Sequence, residues 1–256
     1  MARTPRPASP ASPFGVIEGY ARATLELLAE RALLRRVDTK FIVGLEDVAK
    51  VLRIVDNDYA LLLAAERPIA RYRTLYYDSP NYQSLVDHDR GRRPRYKVRV
   101  RHYVDRKLSY LEIKKKTNAN RTQKVRREIP FLRDHLTGED RQLADERSNL
   151  PGADLIPTLW TDFDRITLVG LRTKERVTVD LSLRFEGRGK SAGFPQLAVV
   201  EVKQARFSPR SPIMLALRGI GARPLAMSKY CTAATMLLPC VSMRRYRSRV
   251  RAIGRM

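Results

Sequence analysis

Polar and apolar residues alternate most strictly in residues 95–116, RYKVRVRHYVDRKLSYLEIKKK. Arg95, Lys97, Arg99 and Arg101 fall two apart, and Tyr96, Val98 and Val100 take the positions between them. Strand side chains point alternately to opposite faces, so this spacing predicts four cations on one face and apolar groups on the other. A polar turn at Asp105-Arg106 leads to a second strand, with Leu111 and Ile113 on the apolar face and Glu112 and Lys114 on the charged one. Like charges set side by side on a sheet are destabilising unless something anionic lies among them. The ladder therefore calls for an anionic partner.

The same alternation predicts strands at 35–43, 70–78, 121–130, 156–160, 163–169, 175–183 and 196–205. Asp38 and Lys40 share a face in the first of these. Lys124, Arg126 and Glu128 oppose Val125 and Ile129, and Glu201 and Lys203 oppose Val200 and Val202. Apolar residues at helical spacing predict helices at 16–34, 45–55, 212–218 and 227–237, with a short one at 82–89 closed by Gly91. The charged stretch 134–149 reads as helix and loop, and the Gly-rich stretch 187–193 as a connection between strands. Residues 1–15, rich in Pro, Ser and Ala, read as a disordered leader. Residues 16–240 form the domain, and 241–256 a loose basic tail.

At least eight near-sequential strands predict an α+β fold, an antiparallel eight-stranded β-barrel with helices around it. In a closed barrel the alternate faces become lumen and exterior. The charged face would then line a wet cationic tunnel carrying Lys40, Arg73, Lys97, Arg99, Arg101, Lys114, Lys124, Arg126, Arg165 and Lys203. Asp38, Glu112, Glu128, Asp180 and Glu201 fall at matching phases. On one strand this is an ordinary solvated face with neutralising pairs; on five or six it is a lined interior. Such cations suit phosphoryl oxygens, and carboxylates among them suit a hard divalent metal shared with phosphate.

Composition narrows the partner. The 256 residues hold 50 Lys and Arg against 27 Asp and Glu, a formal charge of +23, so the partner is a polyanion. Charge alone leaves nucleic acid, an anionic membrane surface and polyphosphate open. No helix-turn-helix or RNA-recognition signature is present, so nucleic acid is not expected. Cys231 and Cys240 make no metal pattern and read as small apolar fillers in a reducing compartment. His88, His102 and His135 have no ligand spacing and read as surface residues. GRGKS at 187–191 imitates the end of a P-loop, but Arg184 stands where that motif needs glycine. No run approaches the roughly 18 to 20 apolar residues that cross a bilayer.

An ordered set of segments, RRVDTKF, TLYYDSPNYQSL, KVRVRHY, LEIKKK, QKVRRE, FDRI, RVTVD, VVEVK and MSKY, spans residues 35–237. In this set the chain resembles the VTC domain, the polyphosphate polymerase domain of the vacuolar transporter chaperone family, in its stand-alone bacterial form. That family belongs to the triphosphate tunnel metalloenzymes. The resemblance implies a tunnel of eight antiparallel strands and an enzyme that moves the γ-phosphoryl group of ATP onto polyphosphate. It implies Lys40, Arg99, Arg101 and Lys114 as catalytic cations and Lys124, Arg165, Lys203, Ser228 and Lys229 as phosphate-binding residues; Arg73, Lys97 and Arg126 join the substrate-binding set by their place in the cation pattern. Ser228 and Lys229 would act at a helix start, where backbone N–H groups also point at anions. Glu201 is similar to the family's metal-binding glutamate and would carry Mn2+ or Mg2+. A cytoplasmic location with a membrane-protein partner fits the resembling complex. Phe163 stands where the family often has a phosphate-contacting tyrosine, and the superfamily's N-terminal glutamates are reduced to Asp38. A triphosphatase of the same fold and a non-catalytic polyanion binder stay open as alternatives.

Overall fold

Alternation becomes strand wherever one face can be buried. The computed structural model describes residues 13–33, 36–119 and 121–255. Most of the expected leader and the first residue of the expected strand at 35–43 lie outside them. The elements are α1 (Pro13–Val16), α2 (Leu25–Glu30), β1 (Val37–Gly44), α3 (Leu45–Ile54), β2 (Tyr59–Leu61), β3 (Ala70–Asp78), α4 (Gln83–Arg90), β4 (Arg95–Tyr103) and β5 (Leu108–Lys116). They continue with β6 (Thr122–Ile129), α5 (Gly138–Arg147), β7 (Ile156–Gly170), β8 (Glu175–Gly187), β9 (Lys190–Phe194), β10 (Leu197–Gln204), α6 (Pro212–Gly219), α7 (Lys229–Leu237) and α8 (Arg244–Ile253). The class is the expected one, α+β on an antiparallel sheet.

The chain forms two compact units. The first holds the chain up to Ala70 with Asp164–Leu181 and Gln196–Ala226. Its strands run β1-β10-β8-β7, with β2 added beside β7. Phe41, Val43, Val177, Val179, Val200 and Val202 turn to one face and pack with Val48, Val51 and Leu52 of α3 and Ile213 and Leu217 of α6. That burial is what fixes the phase of Lys40, Glu201 and Lys203, since a one-residue slip would exchange the faces.

The second unit holds Arg71–Phe163, Ser182–Pro195 and the chain from Met227 onward. Its strands run β7-β3-β4-β5-β6, and β9 pairs with β8. Val98, Val100, Leu111, Ile113 and Ile129 join Leu75, Tyr77 and Ala144 of α5 in its core. Asp78 ends β3 and caps α4. Its carboxylate accepts the N–H groups of Ser79 (2.9 Å), Ser84 (2.9 Å) and Leu85 (3.2 Å) and the Tyr230 hydroxyl (2.8 Å). The N-cap residue, Tyr82, is left-handed and supplies no cap of its own. Among the described residues β6 pairs on one side only, and β1 pairs with β10 and, by a single bridge, with Pro224, where Leu225 N donates to Lys40 O at 2.8 Å.

Several expectations need correction. The helix expected at 16–34 is broken, because Ala23 N donates to Leu61 O (2.9 Å) and Leu61 N to Ala21 O (2.7 Å), which draws 21–23 alongside β2. Thr24 then caps a new helix by accepting Leu27 N at 3.2 Å. The stretch 187–193 is a hairpin: Arg188 (φ 50°) and Gly189 (φ 69°) make the two-residue turn that such strands favour, and β9 follows. The two strands expected at 156–160 and 163–169 are one strand of 15 residues. The tail is not loose, since α8 buries Tyr246 and Ile253 and Asp89 accepts Arg245 N (3.2 Å) and Tyr246 N (3.3 Å). His102 is fully buried and shares a hydrogen bond with Ser109 Oγ (2.6 Å), His88 is half-buried against Tyr246, and His135 alone of the three is exposed. Cys231 is buried as expected, but Cys240 is exposed.

Candidate functional site

The charged face of the second unit is organised around one carboxylate. Register sets Arg99 opposite Glu112, Lys97 opposite Lys114, and Lys114 opposite Lys124. Arg99 donates through Nε (2.8 Å) and Nη2 (2.6 Å) to Glu112 Oε2, and through Nη1 to the Tyr76 hydroxyl (3.2 Å). Lys124 pairs with the other Glu112 oxygen. Burial alone would push the Glu112 carboxyl up, but Arg99, Arg101 and Lys124 together hold it far below the ordinary carboxylate range. Tyr76 behaves likewise: burial would raise its hydroxyl, yet Arg99, Arg101 and Lys97 bring it below its ordinary value.

Around this centre the cations are held by neutral groups. Arg101 Nε donates to Thr74 Oγ1 (3.1 Å), and its guanidinium lies 5.6 Å from the Tyr72 ring and 5.8 Å from that of Phe163. Lys97 Nζ donates to Ser228 Oγ at 2.7 Å, and burial depresses its amine. Ser228 also accepts Cys231 N (3.3 Å), so the hydroxyl expected to meet phosphate is the N-cap of α7. Lys229 Nζ stands 4.4 Å over the ring of Phe163, which shows what phenylalanine does at that position: it seats the lysine. Arg126 covers Tyr110 at 4.9 Å.

The first unit has its own carboxylate centre. Lys40 Nζ and Lys203 Nζ each lie 2.8 Å from a different oxygen of Glu201, and Lys203 also donates to Thr178 Oγ1 at 2.9 Å. Burial would raise the Glu201 carboxyl, but Lys203 and Lys40 outweigh it and hold the group well below its ordinary value. Arg165 makes a two-point pair with Asp180 at 2.5 and 2.8 Å. Asp38 accepts Arg36 Nε at 2.9 Å. Among the described residues no three His, Cys, Asp or Glu side chains gather as a metal cage. A hard divalent ion, however, is commonly held by one or two carboxylates with water and substrate phosphates completing its shell. Glu201 is the carboxylate that would take that role, with phosphate oxygens drawing off Lys40 and Lys203, which here hold both its oxygens.

One expected site residue falls elsewhere. Register pairs Thr74 with Arg101 but Arg73 with His102, so Arg73 lies on the opposite face from the ladder. Its guanidinium stacks 4.4 Å over Trp160 and lies 3.9 Å from Asp162. The position belonging to the ladder face on β3 carries Tyr72, Thr74 and Tyr76, which the alternation of charges could not reveal. Tyr230, stacked on Tyr76 with ring centroids 4.5 Å apart, was equally hidden, because its partner is remote in sequence. No helix among the described residues is long and apolar enough to cross a membrane.

Comparison with curated proteins finds no match. Among solved structures the chain is similar to HpAC1 from Hippeastrum, a proposed adenylyl cyclase with a dominant triphosphatase activity, at 13% identity and a TM-score of 0.51. That match covers 82% of this chain and 99% of the other, and it is a likeness of fold. A proposed adenylate cyclase from Bacillus halodurans matches at 10% identity and a TM-score of 0.49, over 79% of this chain and 97% of that one. The model of the VTC domain matches residues 35–238, which contain both carboxylate-centred clusters. The chain belongs to the VTC-domain family.

Proposed function

We propose that this protein is a metal-dependent polyphosphate polymerase, transferring the γ-phosphoryl group of ATP to a growing polyphosphate chain. The observation that carries the reading is the pair of cation clusters, one set in place around a buried carboxylate and the other around a largely buried one, within a VTC domain. Phosphoryl transfer asks little covalent chemistry of a protein; it asks for positioning and for fixed charge where the phosphoryl oxygens lie. Arg99, Arg101 and Lys114 are assigned to the nucleotide's phosphates, with Lys97, Lys124, Arg126, Lys229 and Ser228 as further binding groups. Lys40, Lys203 and Arg165 serve in the other unit. Arg99 is held by Glu112 and Tyr76, and Arg101 by Thr74, so neither has to reorganise as charge shifts. In the reaction a terminal oxygen of the chain bonds to the γ-phosphorus as the bond to the β,γ-bridging oxygen breaks, and ADP leaves. A bound Mn2+ or Mg2+ supplies charge neutralisation on phosphate oxygens, and Glu201 is the residue that would hold it.

A second reading makes water the acceptor and the protein a triphosphatase; the fold shared with HpAC1, described as a proposed adenylyl cyclase with a dominant triphosphatase activity, favours it. Incubation with ATP and Mn2+ or Mg2+, followed by electrophoresis of the products, separates the readings. Long chains support the polymerase. Orthophosphate alone supports the triphosphatase, and salt-sensitive polyphosphate binding without consumption of ATP reduces the protein to a binder.

A further inference from the structure

Helix α8 lies beyond residue 238, where the match to the family ends. It is unusually basic: six arginines fall between residues 244 and 255, and four more between 90 and 95, with no Asp or Glu in either stretch. The two stretches come together. Asp89 accepts the backbone N–H groups of Arg245 and Tyr246, and Arg245 Nη1 donates to Arg90 O at 3.3 Å. A Cβ at Gly91, whose φ is +74°, would stand 3.3 Å from Arg245 Nη1, so the loop passes directly under the helix.

The ladder runs toward the same place. Arg95 is its outermost member, and Arg95 Nη1 donates to Arg92 O at 3.3 Å. After burial itself, the charges that hold the His88 imidazole far below its ordinary value are those of Lys97, Arg95, Arg249 and Lys114. Ladder cations and an α8 arginine thus act on a single half-buried ring. On the outer side of α8, Arg244, Arg247 and Arg251 are exposed at three- and four-residue spacing, which sets them in one stripe.

We propose that α8 and the 90–95 loop form a second anion-binding surface, continuous with the Arg95–Arg101 row, which holds the body of a long polyphosphate chain outside the reacting centre. The proposal rests on the polymerase reading for its ligand, but not on turnover for its test. Membrane lipid fits less well: interfacial helices present Trp, Phe or Leu to the acyl boundary, whereas α8 commits Tyr246 and Ile253 to the protein, and its exposed side holds Arg, Ser and Ala. Single-stranded nucleic acid needs exposed aromatic platforms, and the one aromatic of α8 is buried.

The test is equilibrium binding of long-chain polyphosphate and of tripolyphosphate to the full chain, in the absence of nucleotide, across a salt series. In the triple variant Arg244→Gln, Arg247→Gln, Arg251→Gln, long-chain affinity falls about tenfold or more and its salt dependence becomes shallower, while tripolyphosphate affinity stays within about twofold. A control that removes the same charge from exposed Arg206, Arg210 and Arg223 leaves the long-chain affinity near wild type. Equal losses in the two triple variants, or an unchanged long-chain affinity, overturn the proposal. So does a larger loss for anionic vesicles or for duplex DNA than for polyphosphate. Absence of ATP turnover would instead count against the polymerase reading and leave these binding results interpretable.

Discussion

Replacing Glu112 by glutamine tests whether the cation ladder is preassembled around a single counter-charge. Glu112 is completely buried and takes two contacts from Arg99, at 2.8 and 2.6 Å, and one from Lys124. Removing its charge leaves Arg99 and Lys124 to share one neutral amide oxygen, with the Tyr76 hydroxyl as the other acceptor for Arg99, beside Arg101 in a buried setting. Breaking such a pair costs about 3–5 kcal/mol. The Lys124 side chain is 39% exposed, so its share is screened, and the loss belongs at the lower end, about 3 kcal/mol. For a chain of this size that corresponds to a melting-point drop of roughly 6–12 °C. The pH dependence has a definite sign. The Glu112 pKa is lowered in the folded protein, so its stabilisation is present above the unfolded value of about 4.3 and is lost as pH falls through the folded value. The gap between variant and wild type is therefore full at pH 7 and closes only in acid. Thermal unfolding followed by circular dichroism at pH 7 and near pH 3 measures it. Added tripolyphosphate should raise the variant's melting point more than the wild type's, because phosphate oxygens replace the missing charge. A variant that melts with the wild type at pH 7, or a gap that persists unchanged in acid, refutes the reasoning.

Three further outcomes are expected. Glu201→Gln abolishes metal-dependent turnover, while far-UV circular dichroism and metal-free tripolyphosphate binding are retained; unchanged turnover removes Glu201 as the metal's ligand. Arg73→Ala costs about 1 kcal/mol in urea unfolding, the contribution of its stack on Trp160, and leaves triphosphate affinity unaltered because it lies on the other face. A marked loss of affinity there would return Arg73 to the site. Tyr230→Phe removes a donor from the buried Asp78 carboxylate and destabilises by about 1–3 kcal/mol, read by chemical denaturation.

What was legible in the sequence is what has one dry face and one wet face. In β4 and β5 the apolar alternates pack in the core, while the charged alternates, apart from buried Arg101 and Glu112, stay partly exposed, so period, face and ligand class could all be read from residues 95–116. In β3 the last five residues are buried on both faces, which erases the period; the two cations Arg71 and Arg73 then suggested the wrong wet face. The real one carries Tyr72, Thr74 and Tyr76, residues with no charge to announce them. Residues 16–34 misled for a different reason, since their apolar groups are spaced like a helix but residues 21–23 go to the edge of β2. In α8, arginines obscured an anchor of only Tyr246 and Ile253, seven residues apart on one side of the helix. Phases on a strand are local and can be counted. The pairing of Lys40 with Glu201, or of Lys124 with Glu112, depends on register between strands distant in sequence and cannot.

That register also answers the difficulty posed by a ladder of like charge. Lys40 and Lys203 converge on Glu201, and Arg99 and Lys124 on Glu112, so each cluster sets two cations on a single carboxylate. Two oxygens cannot satisfy every donor that faces them, and the surplus is left to hydroxyls: Thr74, Thr178, Tyr76 and Ser228. Such neutral acceptors stabilise a cation's position without cancelling its charge. An arrangement that sought only its own stability would add carboxylates until the charges balanced. Here geometry is fixed by hydroxyls and a minimal counter-charge, and the uncancelled remainder is available to a ligand with several phosphates. The same imbalance makes the protein's stability respond to phosphate, so the Glu112→Gln experiment reads the binding function through the fold.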